Sequence, residues 1–65
     1  MKIDSFKIKI LMSELEINQT EMAERMGISR QNLSLILRRG SCFTKNAGKI
    51  AKALGVPVSE ILIKE

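Results

Sequence analysis

Histidine, tryptophan and tyrosine are absent from this chain, cysteine and proline occur once each, and the only aromatic residues are Phe6 and Phe43. Each absence removes a class of chemistry. Without histidine or a second cysteine there is no ligand spacing for zinc and no thiol–imidazole pair. There is no glycine-rich phosphate loop, and the carboxylates fall on the polar faces of the helical patterns. The chain is therefore not expected to be an enzyme, and nothing in it asks for a cofactor or a small-molecule ligand. Cys42 cannot close an internal disulfide and is read as a small loop residue; a chain without a disulfide framework suits a reducing cytoplasm. Long apolar runs are missing too. Asp4, Lys7 and Lys9 interrupt the apolar N-terminal stretch and no small-residue cleavage site follows, so neither a signal peptide nor a membrane span is expected.

What is present suits one small domain, residues 1–65, near the lower size limit for folding alone. Its core must come from Ile, Leu, Val, Met and Ala, which supports a net stability of about 3–5 kcal/mol, open to increase by a partner or ligand through mass action. The net charge is +4, and its distribution is more informative than its size. Arg30, Arg38, Arg39, Lys45, Lys49 and Lys52 follow one another with no acid between them, whereas Glu14, Glu16, Glu21 and Glu24 face Arg25 alone in the preceding stretch. One side of the fold should be distinctly positive, as a polyanion-binding surface is.

Hydrophobic periodicity predicts helices over about 5–15, 19–26, 30–38, 45–54 and 58–63. In the first, Ile8, Leu11, Met12 and Leu15 share a face, and Asp4 or Ser5 can cap its start. In the second, Asn18 and Glu21 have capping-box spacing, Met22, Ala23 and Met26 face inward, and Gly27 suits a left-handed C-terminal residue. Ser29 caps the third, whose apolar face is Leu33, Ile36 and Leu37; Ala23 should lie where the second and third helices cross closely. Thr44 is the expected cap of the fourth, which turns Ala47, Ile50, Ala51 and Leu54 inward. Gly48 inside it costs about 1 kcal/mol relative to Ala, and close packing against another helix is the expected reason. Gly55 and Val56 give a Schellman-type stop, and Pro57 suits the start of a short last helix.

The stretch 19–38 is thus two short helices joined by a tight turn. With Gln19, Ala23 and Gly27 at its first, fifth and ninth positions, and Ile28, Leu33 and Ile36 filling later apolar ones, it resembles the helix-turn-helix of the lambda-repressor/Cro-like (XRE) family. The likeness runs from about Ile8 to Leu62 and includes Ala51-Lys52-Ala53-Leu54-Gly55-Val56. It implies an all-α, five-helix lambda-repressor-like DNA-binding domain. The family usually carries an Arg at Met12 and a Glu at Leu37; here both are apolar, and packed hydrophobes in place of a buried ion pair are often neutral or stabilising. Its glycine also usually lies one residue before Gly40.

The outward set on the third helix is Arg30, Gln31, Ser34, Leu35 and Arg38, a face suited to the DNA major groove. Arg30 has the geometry for guanine O6 and N7, Gln31 for adenine N6 and N7, and Leu35 for a thymine methyl, with Ser34 completing the base-contacting group. Gln19, which the resemblance places against a phosphate, is joined by Ser29, Arg38, Arg39 and Lys45 as expected backbone contacts. The expected function is sequence-specific binding of double-stranded DNA as a transcriptional regulator, with repression favoured. A homodimer is expected, since one such helix reads only a few base pairs and family members commonly pair; Val58 and Ile63 are the candidate shared surface. The alternative is a protein-interaction module of antitoxin or coactivator type on the same fold, against which the acid-free basic face speaks.

Overall fold

The computed structural model describes residues 1–63. Among the described residues four α-helices follow in order, α1 (Ser5–Glu14), α2 (Gln19–Met26), α3 (Arg30–Arg39) and α4 (Thr44–Leu54), and a 3-10 turn (Val58–Glu60) comes after them. The last element corrects the expected helix over 58–63. Only one tight turn forms, with Ile61 as its C-cap, and the backbone beyond it has another partner: Asp4 N–H donates to Ile61 O (2.7 Å) and Ile63 N–H to Lys2 O (3.2 Å).

Local chemistry explains most boundaries. Asp4 caps α1 by accepting from Lys7 N–H at 3.0 Å. Both halves of the capping box at α2 form, with Glu21 N–H donating to Asn18 Oδ1 at 2.8 Å and Asn18 N–H to Glu21 Oε1 at 3.3 Å. Gly27 and Gly55 each sit at φ 71, a left-handed conformation that costs a residue without Cβ little. The Schellman bonds run from Ile28 N–H to Ala23 O and from Val56 N–H to Ala51 O.

Three expectations fail locally. Leu15 lies past the end of α1 and is 44% exposed, because the helix stops at Glu14. Thr44 does not cap α4; the N-cap is Phe43, whose side chain cannot accept a backbone hydrogen bond. Gly48 is not forced by close packing, since a Cβ built there meets nothing within 4 Å.

The N-terminal segment has a role that helical periodicity does not show. Lys2 pairs with Ser41 and Ile3 with Leu62, both antiparallel, so the segment lies between the α3–α4 loop and the C-terminal stretch. Ile3 N–H donates to Gly40 O at 2.9 Å, and Cys42 N–H donates to Met1 O at 3.0 Å. The Ile3 side chain drops into the core, where Ile3, Ile8, Met22, Leu33, Ile50 and Ile61 are fully buried. Met12 and Leu37 are buried in the same cluster, as is Ala23, while Ile36 is only partly buried at its edge. No polar or charged side chain is buried among the described residues. At the surface the Lys7 ammonium donates to Glu60 Oε2 at 2.7 Å, a hydrogen bond that raises the lysine pKa. Arg25 Nη1 donates to Ala53 O at 3.3 Å, tying α2 to the end of α4.

Two substitutions test this packing in opposite directions. Ile3→Ala removes a fully buried side chain and should lower the unfolding free energy by about 2–4 kcal/mol in urea titrations. Gly48→Ala fills open space in a helix and should raise it by about 0.5–1 kcal/mol. A destabilised Gly48→Ala protein would restore the close-packing explanation.

Candidate nucleic-acid interface

The turn between α2 and α3 is built by two residues. Gly27 reverses the chain in its left-handed conformation, and Ser29 Oγ then accepts from Asn32 N–H at 3.1 Å to open α3. Leu33 and Leu37 anchor α3 to the core, which leaves Arg30, Gln31, Asn32, Leu35, Arg38 and Arg39 exposed. Ser34 is half-buried, deeper than its expected place on the outward row. Leu35 is 44% exposed. No carboxylate of the described residues forms an ion pair with Arg30, Arg38, Arg39 or Lys45. The outer surface of α3 is thus cationic and amide-rich without an acid to compete for its donors.

At the far end of α3, two bonds from the N-terminal segment hold the helix. Ser5 Oγ donates to Leu37 O at 2.7 Å, and Ile3 N–H donates to Gly40 O. Lys45 is exposed on the first turn of α4. Gln19 begins α2 and is half-buried in a shallow cleft shared with Glu16 and Glu21. Ser29 is exposed at the α3 N-terminus. Lys49 and Lys52 line a separate cleft with Arg25, between α2 and α4. Of the proposed subunit contacts, Ile63 is 47% exposed, whereas Val58 already packs partly against the protein's own core.

One feature of this surface escaped the sequence. A groove of about 500 Å³ runs beside α3, lined by Leu35, Ile36 and Arg39, by Phe43 and Asn46, and by Met1. Phe43 is 82% exposed there. Its one signal in the sequence was an aromatic residue in a loop, outside every apolar helical face. Cys42 also borders the groove, half-buried, and burial pushes its thiol pKa up against the opposing pull of the Met1 ammonium. That is the reverse of an activated nucleophile. No group of three or more potential metal ligands occurs among the described residues, and no described helix is long and apolar enough to cross a membrane.

A family model described as a Cro/C1-type HTH DNA-binding domain matches residues 7–65. No curated protein and no solved structure gives a match.

Proposed function

Since the chain belongs to the Cro/C1-type helix-turn-helix DNA-binding family, we propose that it is a repressor that reads a specific double-stranded DNA sequence with α3 in the major groove. The observation that carries this is the exposed, acid-free outer face of α3, fixed from behind by Leu33 and Leu37. Arg30 and Gln31, in its first turn, take the base edges, as guanine and adenine readers respectively. Ser34, half-buried at the edge of this face, completes the base-contacting group. Leu35 packs on a thymine methyl. Gln19, Ser29, Arg38, Arg39 and Lys45 hold the sugar–phosphate backbone and set the register. Repression needs no further device: occupancy of a site overlapping a promoter blocks access to it.

A salt series tests the electrostatic part. Affinity for a selected duplex should fall with a log–log slope of about −0.9 per phosphate contacted. Arg39→Ala or Lys45→Ala should weaken all sequences similarly, and Arg30→Ala should also relax the preference at one base pair. Binding that ignores salt, with a protein partner recovered by pull-down instead, would favour the interaction module.

Base reading by Leu35 has its own test. Replacing the thymine beside the base read by Gln31 with uracil deletes only a methyl and should cost the wild-type protein about 1 kcal/mol. Leu35→Ala should be nearly indifferent to that change. Equal losses in both proteins would reduce Leu35 to an exposed leucine.

Reading two half-sites about 34 Å apart requires a pair of subunits. Ile63 is an exposed apolar residue available for it, with the outer edge of Val58 in the 3-10 turn. Sedimentation at tens of micromolar, with and without duplex, should detect the pair; monomer under both conditions would remove it.

A further inference from the structure

Leu35 apart, the groove beside α3 is left unused by base reading, and its composition selects an occupant. Phe43 holds the N-cap position of α4, where Ser, Thr, Asn or Asp would satisfy a free helix N–H and Phe cannot. It is also the most exposed large hydrophobic residue of the described chain, at 82%. The position therefore gives up both a cap and the burial of an aromatic ring, in a domain that has only two such rings. Arg39 lines the same groove, four residues after Leu35 on the same helix, and Lys45 follows Phe43 at the start of α4. No carboxylate lines the groove.

We infer that this groove cradles one strand of the DNA backbone, with a deoxyribose against the Phe43 ring and the adjoining phosphate at Arg39, while Leu35 closes the wall on the side of the bases. This rests on the proposed placement of α3 in the major groove. A sugar–phosphate strand alternates C–H surface with negative charge, which matches an exposed ring beside an unpaired cation. An apolar helix from a second copy would suit Phe43 and Leu35 but would strip water from Arg39 without giving it a partner. The groove is also continuous with the base-reading face, because Leu35 belongs to both. The Phe43 part of this contact is apolar and blind to sequence, which separates it from the charged residues assigned to the backbone and from Leu35 on a base.

Titrations of the full chain on its selected duplex and on a random duplex, over a range of salt, test this with Phe43→Ala, Phe43→Leu and Arg39→Ala. Phe43→Ala should lose about tenfold in affinity on both duplexes at every salt concentration, with the wild-type slope retained. Phe43→Leu should recover most of that loss, and Arg39→Ala should flatten the slope by about 0.9. Phe43→Trp would place the only indole of the chain in the groove, since Trp and Tyr are absent. Its emission should change on adding duplex and stay constant with protein concentration alone. Wild-type affinity in Phe43→Ala, or an indole blind to bound duplex, would overturn the inference while leaving the DNA-binding function intact. An indole that responds to protein concentration without DNA would make the groove a contact between copies. Failure of the wild-type protein to bind any duplex would remove both proposals together.

Discussion

The backbone of Ile3 and Asp4 ties the end of α3 to the stretch that follows the 3-10 turn. Ile3 gives its N–H to Gly40, just past the end of α3, and Asp4 gives its own to Ile61, just past the 3-10 turn. A ten-residue helix is too short to persist alone in water, so α3 takes its position from what surrounds it. Its start is set by Gly27 and Ser29 and its inner face by Leu33 and Leu37. Its end is set by this clasp, with Ser5 Oγ supplying the Leu37 carbonyl a donor that the helix itself lacks. The turn of α3 that carries Arg38 and Arg39 is consequently held in part by Ile3 and Ser5.

Behind that surface the interior is free of charge. Met12 and Leu37 are buried together in an apolar cluster, and no described polar side chain is buried with them. Folding and recognition therefore answer to different variables. The core responds to changes in apolar volume, while the cationic outer face responds to ionic strength. The Lys7–Glu60 pair is solvated, with both side chains about half exposed, and so contributes little to holding the fold. A protein built this way can lose its grip on a polyanion in high salt while remaining folded.

Signals that act within a few residues were readable from the sequence, and those that act across the fold were not. Asn18 with Glu21, Ser29, Gly27 and Gly55 all behave as their spacing predicts, because capping and left-handed turns are decided locally. The all-helical class follows from the same periodicity, as does the exposure of Arg30, Gln31, Leu35 and Arg38 on α3, whereas Ser34 sits deeper than its place in that row suggested. Thr44 misled because Phe43 enters α4 one residue earlier, where no side-chain cap forms at all. Gly48 suggested a close crossing, yet the space above it is open. The last helix was lost to competition: Ile61–Ile63 find hydrogen-bond partners in Lys2–Asp4, and nothing local announces a partner so distant in sequence. Phe43 and its groove depend on the placement of Met1, Leu35 and Arg39 around one loop, which periodicity does not encode.

The pairing of Ile3 with Leu62 also orders events in time. Met1–Asp4 are synthesised before every other described residue, and Leu62 after nearly all of them. During translation α2 and α3 can form their turn and begin to pack through neighbouring contacts, which close quickly. The side of the clasp that Asp4 offers has no partner until Ile61 has left the ribosome. A nascent chain that already contains both helices of the motif would therefore hold α3 through Ile3 and Ser5 alone, and the second half of the clasp, from Asp4 to Ile61, would close only once residues 61–63 have emerged.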